Sequence, residues 1–276
     1  MDTITGKTLL VTGAAMGMGK LYAQLAVAEG AATVVLWDIN AAGLEKTAAE
    51  LRAAGGSRVL TQVVDVSKAD AIAAAAATVR ETAGVPDILI NNAGIIRGKY
   101  FWEHDAQKDI EMTMAINALA PMYIAREFLP GMIADAGSER RIVNISSAAS
   151  LVANPRMSVY CASKWSCTGW SDSLRLELKQ AGHGHIKVLT VCPTYISTGM
   201  FDGAKPMLLT PVMTPQYVVD RVWRAMKRGK GRLILPWTVY LSNALKGLLP
   251  LALYDWLADH VFGIYHSMAD FRDRPR

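Results

Sequence analysis

The sequence predicts a single α/β domain built on a parallel β-sheet with helices on both faces. Two observations support this prediction: short β-branched runs alternate with longer helical stretches, and no linker rich in Ser or Gly divides the 276 residues. Such alternation is typical of βαβ units, whose consecutive strands run parallel. Seven strands are predicted, at 8–12, 33–38, 59–64, 88–91, 141–146, 187–192 and 232–235.

Helical stretches fill the gaps between these strands. Six are predicted, at 17–29, 41–54, 69–83, 105–136, 157–181 and 215–228. The irregular stretch 194–214 precedes the last of them and is rich in Met, Gly, Pro and Thr. Because open α/β sheets bind ligands at the carboxyl ends of their strands, we expect 194–214 to be a substrate loop over the site.

The C-terminal extension, 237–276, stays apolar and aromatic without a clear period. Three interpretations stay open for it: a contact between subunits, a cover over the site, and peripheral contact with a lipid surface. The longest uncharged run nearby, 233–245, is shorter than the ~18 residues that a spanning helix needs. We therefore expect no membrane span.

Composition excludes several other classes. Hydrophobic residues make up 51% and charged residues 19% of the chain, which is incompatible with disorder as the main state. Three scattered cysteines, Cys161, Cys167 and Cys192, predict neither a disulfide framework nor a zinc site. We expect a cytoplasmic protein without a metal and with an inert, buried Cys161.

The net charge of +5 comes largely from one basic stretch. A solvated helix face is the favoured interpretation, so nucleic-acid binding is not expected, and contact with anionic lipid is the alternative that remains. The cations concerned are Arg221, Arg224, Lys227, Arg228, Lys230 and Arg232.

A glycine-rich turn lies between the first strand and the first helix. Gly13, Gly17 and Gly19 would let the backbone turn tightly and approach a pyrophosphate at the helix N-terminus. An acid, Asp38, ends the second strand, where a carboxylate accepts hydrogen bonds from ribose hydroxyls and repels a 2′-phosphate. The two features together predict a dinucleotide site.

The spacing Thr-Gly-x-x-x-Gly-x-Gly at 12–19 resembles the short-chain dehydrogenase/reductase family. Further matches follow in the family's order: Asp65-Val66, Asn91-Asn92-Ala93-Gly94, Ser147 before Tyr160-Cys-Ala-Ser-Lys164, and Pro193 with Ile196 and Thr198. The resemblance covers residues 1 to about 200. It implies a Rossmann fold with sheet order 3-2-1-4-5-6-7 and an enzyme that acts on CH–OH groups.

The resemblance also implies which residues bind the cofactor. NAD is expected rather than NADP, because Asp38 is negative and because Met16 and Ile39 stand where NADP-dependent members usually carry a basic residue. The implied cofactor-binding residues are Gly13, Ala15, Met16, Gly17, Met18, Gly19, Asp38, Ile39, Asp65, Val66, Asn91, Ala93, Gly94, Tyr160, Lys164, Pro193, Ile196 and Thr198.

A catalytic tetrad of Ser147, Tyr160, Lys164 and Asn117 is implied in the same way. Tyr160 and Lys164 are four positions apart on a predicted helix and therefore share a face. The ammonium of Lys164 is expected to depress the pKa of the Tyr160 phenol towards working pH. Ser147 would hold the substrate oxygen, and Asn117 would maintain a water in the proton relay.

The substrate pocket is expected to be apolar, since few polar residues stand around the site. A bulky hydrophobic alcohol or its ketone fits such a pocket better than a polyol, which needs several directed hydrogen bonds. Residues 192–201 and 262–272 loosely resemble the branch of retinol and 17β-hydroxysteroid dehydrogenases, so a 17β-hydroxysteroid is the first choice. The expected substrate residues are Ile96, Ala148, Val152, Asn154, Met157, Tyr195, Met200 and Met207.

Alternatives remain for the activity. Retinol or another lipophilic alcohol is one, and a 3-oxoacyl or quinone ketoreductase is another, although the latter commonly uses the phosphorylated cofactor. A noncatalytic NAD-binding regulator is disfavoured because Tyr160 and Lys164 are both present. Like most of the family, the chain is expected to form a homodimer or homotetramer, through the helices at 105–136 and 157–181.

Overall fold

Seven parallel strands form one sheet in the computed structural model, which describes residues 1–272. Their order is β3-β2-β1-β4-β5-β6-β7, so the predicted topology is confirmed. Each strand begins and ends within one residue of its predicted bounds. The strands are β1 (Thr8–Thr12), β2 (Thr33–Asp38), β3 (Arg58–Val63), β4 (Ile88–Asn91), β5 (Arg140–Ile145), β6 (Ile186–Pro193) and β7 (Arg232–Leu235).

The central strands are buried on both faces, which explains their continuous apolar sequence. Leu10 of β1 pairs with Val35 of β2 on one side and with Leu89 of β4 on the other, and all three side chains are fully buried. The strand order reverses between β1 and β4: β2 and β3 are added on one side of β1 and β4 to β7 on the other, so a crevice opens there at the carboxyl ends of the strands. The candidate site lies in this crevice.

Regular helices pack on the two faces of the sheet. One layer contains α1, α2 and α6, and the other contains α3, α4 and α5. Their bounds are α1 (Gly17–Ala28), α2 (Ala41–Ala54), α3 (Ala69–Ala83), α4 (Ala120–Ala134), α5 (Ser158–Gln180) and α6 (Pro215–Lys227).

The predicted single helix at 105–136 is wrong in its first half. Two π-helical turns, Ala106–Glu111 and Ala115–Leu119, flank one short α-helical segment, Met112–Met114, before α4 begins. A π-turn widens the backbone ring and turns a side chain away from its regular position. Asn117, expected on a regular helix, lies in the second of these turns.

The C-terminal extension, of which residues 273–276 lie outside the described residues, contains α7 (Thr238–Leu248), α8 (Leu251–Trp256) and a final π-turn, Leu257–Val261. Sequence periodicity did not predict these helices, because apolar side chains lie on their buried and exposed faces alike. Val239, Tyr254 and Ala258 are buried, whereas Trp237 and Leu248 are mostly exposed. Within residues 1–272, no helix has the length and apolar character needed to cross a membrane.

Candidate active site

The glycine-rich turn brings backbone atoms of two segments very close together. Gly13 and Gly17 adopt left-handed φ angles of 67° and 57°, which favour glycine. A Cβ atom on Gly19 would lie 2.0 Å from the carbonyl oxygen of Gly13, so only glycine fits there. Met16 provides no side-chain cap for α1, which leaves backbone N–H groups for an anion.

Asp38 lies at the carboxyl end of β2, next to this turn. Its Oδ2 accepts a hydrogen bond from the amide of Ala15 and its Oδ1 accepts one from the amide of Asn40, both at 2.9 Å. Met16 and Ile39, which are 56% and 66% exposed, lie on the same cleft as the carboxylate. Neither Met16 nor Ile39 therefore provides a positive charge that could bind a 2′-phosphate.

A long open cleft runs along the carboxyl ends of the strands from Asp38 to Tyr160. The glycine turn, the uncapped helix terminus and the carboxylate fit a dinucleotide along this cleft. The structure places most of the predicted cofactor residues on its walls, namely Gly13, Ala15, Met16, Gly17, Met18, Asp38, Ile39, Asp65, Val66, Ala93, Gly94, Tyr160, Lys164, Pro193, Ile196 and Thr198.

Two predicted cofactor residues do not lie on these walls. Gly19 packs beneath the turn, against Gly13. Asn91 is buried, and its amide donates to Oδ1 of Asn144 on the neighbouring strand β5 at 2.8 Å, so it is engaged inside the fold. Prediction missed Asn92, which lines the cleft and donates to the carbonyl of Thr12 at 3.0 Å. The Asn-Asn-Ala-Gly motif contained the signal for it.

Ser147, Tyr160 and Lys164 are brought together at the inner end of the cleft, and all three are buried. Ser147 follows β5, where its Oγ accepts from the amide of Ala149 at 3.1 Å and is hydrogen-bonded to the Tyr160 side chain. Tyr160 and Lys164 lie one turn apart on α5. The Nζ of Lys164 donates to the carbonyl of Ile145 at 2.8 Å and lies 5.8 Å from the centroid of the Tyr160 ring.

Burial has the largest effect on the pKa values of Tyr160 and Lys164. It raises the pKa of the Tyr160 phenol above its ordinary value, and the hydrogen bond with Ser147 opposes the shift only in part. The expectation that Lys164 depresses this pKa is therefore wrong for the structure, because burial has the largest effect on it and Ser147, rather than the lysine, is the group that lowers it. Burial also lowers the pKa of Lys164, which makes its proton easier to release.

Asn117 completes the cluster from the π-turn. Its Nδ2 donates to the carbonyl of Ile95 at 2.8 Å and to Oγ of Ser163 at 3.1 Å, while its Oδ1 accepts from the amide of Ile95 at 2.9 Å. A Cβ atom on Gly94 would lie 3.2 Å from this Oδ1 and 3.5 Å from Nζ of Lys164. A glycine at position 94 thus leaves space between the asparagine and the lysine.

An apolar pocket adjoins the cleft and shares Ser147 and Thr194 with it. Six predicted substrate residues line this pocket: Ala148, Val152, Asn154, Met157, Tyr195 and Met207. Met200 instead lines the cofactor cleft, and Ile96 is buried in a cluster with Tyr160 and Tyr195.

The C-terminal extension supplies part of the pocket wall, which the prediction of substrate residues missed. The apolar sequence beyond the last strand indicated that this segment is partly buried. It has no hydrophobic periodicity, so the side chains that face the pocket could not be predicted. The residues concerned are Thr238, Val239, Leu241, Ser242, Phe262 and Ile264. Of the interpretations considered, a cover over the pocket matches the position of these residues.

The cysteines contribute no reactive group. All three are free and buried, and burial raises the pKa of the Cys161 thiol. A thiol with a raised pKa holds little of the nucleophilic thiolate at neutral pH. Within the described part of the chain, no cluster of three or more His, Cys, Asp or Glu side chains could hold a metal ion.

Comparison with solved structures agrees with the fold and with the type of cofactor. A short-chain dehydrogenase/reductase from Burkholderia phymatum in complex with NAD superimposes with a TM-score of 0.81 at 25% identity, over 90% of this chain and 95% of that one. A short-chain dehydrogenase from Sphingobium yanoikuyae in complex with NADPH gives 0.74 at 28% identity, over 89% and 97%. Structures similar to this chain thus bind NAD or NADP.

The similarity to sequence relatives extends beyond the cofactor-binding part of the chain. Human (Homo sapiens) epidermal retinol dehydrogenase 2 is 36% identical over 99% of this chain and 87% of its own length. Estradiol 17-beta-dehydrogenase 11 of Pongo abelii is 34% identical over 90% and 81%. The family model described as short chain dehydrogenase matches residues 7–208. The chain therefore belongs to the short-chain dehydrogenase/reductase family and is an oxidoreductase that acts on CH–OH groups.

Proposed function

We propose that this enzyme uses NAD to oxidise a secondary hydroxyl on a bulky apolar skeleton to the ketone, with a 17β-hydroxysteroid as the first choice of substrate. The apolar pocket that shares Ser147 with the cofactor cleft is the observation that carries this proposal. A relative named as an estradiol 17-beta-dehydrogenase, 34% identical, supports the choice of steroid.

The roles of the clustered residues follow from their positions. Ser147 and Tyr160 hold the substrate hydroxyl, and Tyr160, as phenolate, takes its proton. Bound NAD supplies the hydride acceptor. Lys164 passes on the proton taken up by Tyr160, and the lowered pKa of Lys164 assists this release. Asn117 and Lys164 both lie beside Gly94, where Asn117 would hold the water that receives the proton.

Discrimination between the two cofactors is assigned to Asp38. Its carboxylate would repel a 2′-phosphate, and Met16 and Ile39 offer no compensating cation. A carboxylate already held by the amides of Ala15 and Asn40 keeps a fixed position and can still accept from ribose hydroxyls. NAD is therefore the proposed cofactor.

Substrate size follows from the pocket. Burying apolar surface contributes about 25 cal/mol per Å², so a fused-ring skeleton gains far more binding free energy in this pocket than a small alcohol does. Small polyols would leave their hydroxyl groups without partners against Val152, Met157 and Phe262.

Retinol is the second candidate, because a relative named as a retinol dehydrogenase is 36% identical to the chain. The same pocket would accept its apolar body. Kinetics of NAD reduction with steroid and retinoid alcohols side by side test the choice: the higher kcat/KM for a 17β-hydroxysteroid supports the first proposal, and the higher value for retinol replaces it.

We also propose peripheral contact with a lipid surface through α7. Trp237, Leu241, Ala244 and Leu248 repeat at helical spacing along its exposed side, and Leu241 also lines the apolar pocket. An apolar substrate could then enter from the lipid. Co-sedimentation with vesicles tests this contact, and Trp237→Ser with Leu248→Ser should abolish it.

A homo-oligomer is proposed through the helical layer that contains α4 and α5. Tyr123 on α4 and Trp165 and Leu176 on α5 are large apolar residues left exposed by the monomer. Light scattering tests this proposal, since a monomeric mass at working concentration would refute it.

A further inference from the structure

The tip of the substrate loop, residues 200–208, runs alongside the C-terminal tail, residues 262–272. Backbone hydrogen bonds of 2.8–3.1 Å join the two segments in antiparallel order, because the loop numbers rise as the tail numbers fall. The amides donate from Arg272 to the carbonyl of Asp202, from Lys205 to the carbonyl of Ser267 and from Leu208 to the carbonyl of Phe262. The two segments thus form an antiparallel contact, the seam.

The seam forms part of the wall of the apolar pocket. Leu208 and Phe262, which share a hydrogen bond across the seam, both line the pocket. Met207 lines it from the loop tip and Ile264 from the tail. Leu208 is also half exposed, so a single layer of residues separates the pocket from solvent at this point. Movement of the loop tip away from the tail would therefore open the pocket.

The tail is the firmly held side of the seam. Ser267 and Met268 are each only 1% exposed. Nη1 of Arg156 donates to the carbonyl of Ala269 at 2.7 Å, which ties the tail to the segment before α5. Oγ of Ser267 is hydrogen-bonded to the hydroxyl of Tyr195, beyond β6, at 2.8 Å. Buried contacts with two parts of the fold thus fix the position of the tail.

The loop tip is held less firmly than the tail. Asp202, Gly203 and Lys205 are all exposed. Lys205 forms an ion pair with Asp270 of the tail at 2.8 Å, but both side chains are more than half exposed, which makes the pair weak. Hydrogen bonds in such exposed segments open at a low cost in free energy. The loop tip is therefore the side of the seam that can move.

Left-handed backbone conformations lie at both ends of the loop tip. Gly199 has a φ angle of 77° and Leu209 has one of 57°, which is strained for a residue other than glycine. Outside these two positions, Ile196 and Met213 form a parallel bridge that closes the base of the loop. A few backbone positions are sufficient as hinges. The tip can thus rotate about Gly199 and Leu209 while the base keeps its place.

We propose that the seam is the gate of the apolar pocket. The loop tip swings away from the fixed tail to admit a bulky substrate and returns to it before the reaction, which excludes water from the pocket. The tail is the stop that sets the closed position of the loop. This inference rests on the proposed function, because it concerns access to the same pocket.

A disulfide across the seam tests whether the gate has to open. Asp202→Cys with Arg272→Cys joins two residues that share a backbone hydrogen bond, which brings their Cα atoms within the span of about 7 Å that a disulfide allows. Both positions are exposed, whereas the three native cysteines are free and buried. Oxidation should lower kcat/KM for the apolar alcohol that the wild type oxidises best by at least tenfold, and dithiothreitol should restore it.

The single variants Asp202→Cys and Arg272→Cys are the matched controls, and their activity should not depend on dithiothreitol. NADH titration of the oxidised double variant separates the pocket from the cofactor cleft, which Met200 and Phe201 of the loop tip also line. Unchanged NADH affinity together with lost turnover supports the gate. Full activity of the cross-linked enzyme, or loss of NADH affinity along with turnover, overturns it.

Gly203→Ala tests the seam from the opposite direction, by preventing its closure. Gly203 has a φ angle of 80°, and an added Cβ would lie 2.1 Å from the carbonyl oxygen of Asp270. The amides of Lys205 and Leu208, which donate across the seam, should then exchange with deuterium at least tenfold faster, and the KM for the apolar alcohol should increase. Gly184→Ala, where an added Cβ meets no atom within 4 Å, should change neither quantity.

Failure of this inference and failure of the proposed function give different results. Wild-type exchange and KM in Gly203→Ala would overturn the gate while oxidation of apolar alcohols persists. If the wild type oxidises no apolar alcohol with NAD, the proposed function is wrong. Hydrogen exchange of the seam needs no substrate, and seam amides as slow to exchange as those of β5 in the wild type would overturn the gate in either case.

Discussion

The carboxylate of Asp38 is hydrogen-bonded to the amide of Ala15 at 2.9 Å, which links the acid at the end of β2 to the glycine-rich turn. Asp38 thus holds the glycine-rich turn through a hydrogen bond, and in the proposed function its negative charge also selects NAD over NADP. The two contributions can be separated by substitution.

Asp38→Ala should narrow the preference for NAD over NADP by on the order of tenfold or more. Two unit charges 4 Å apart interact by about 4 kcal/mol near a protein surface, so loss of this repulsion favours the 2′-phosphate. The measurement is kcat/KM with each cofactor. Asp38→Asn, which removes the charge but keeps an acceptor for Ala15, should narrow the preference similarly; an unchanged ratio in both would place discrimination elsewhere.

Gly19→Ala should abolish cofactor binding or prevent correct folding of the turn, because the added Cβ would lie 2.0 Å from the Gly13 carbonyl oxygen. Gly184→Ala provides the control, since this exposed loop glycine has no positive φ and an added Cβ meets no atom within 4 Å. The control should bind NADH and unfold as the wild type does. NADH fluorescence titration and thermal unfolding of both variants check this, and normal NADH affinity in Gly19→Ala would contradict the described turn.

Tyr160→Phe should lower kcat by roughly 10²–10⁴-fold while NAD binding persists, because only the transferable proton is lost. Lys164→Ala should damage both turnover and NAD affinity, since Lys164 lines the cofactor cleft as well. Steady-state kinetics and NADH titration separate the two effects. Substantial turnover by Tyr160→Phe would remove Tyr160 from its assigned role.

The pH dependence follows from the raised pKa of Tyr160. Oxidation needs the phenolate, so the raised pKa leaves little active form at neutral pH and the oxidation rate should increase with pH through the alkaline range. Ketone reduction needs the protonated phenol, which the raised pKa preserves, so the reduction rate should stay nearly constant through the moderately alkaline range. Rate profiles in both directions test this; an oxidation rate that is flat above neutral pH would show that cofactor or substrate lowers this pKa on binding.

Much of the fold could be predicted because the central strands are buried on both faces. Strands such as β2 then appear as short apolar runs that only a covered parallel sheet accommodates. The helices α7 and α8 could not be predicted, because apolar residues such as Trp237 and Leu248 are exposed, so the sequence shows no alternation of apolar and polar residues at helical spacing. The π-turns around Asn117 likewise have no pattern in the sequence.

The site was predictable where a motif fixes a backbone shape or a chemical group, as at Gly13 and Asp38. It was not predictable where tertiary contact decides. Asn91 belongs to a motif, yet its side chain pairs with Asn144 inside the fold. Ser267 is distant in sequence from Asn154, and only the folded tail brings them to 2.8 Å.

The most direct test of the proposed function is catalytic efficiency with NAD across alcohols of different size and polarity. The panel contains 17β-hydroxysteroids, retinol, long-chain secondary alcohols and small polyols. The apolar pocket beside Ser147 predicts that a bulky apolar alcohol has the highest kcat/KM and that small alcohols lose chiefly through a raised KM. A small polyol that equals or exceeds every steroid and retinoid would contradict the proposal.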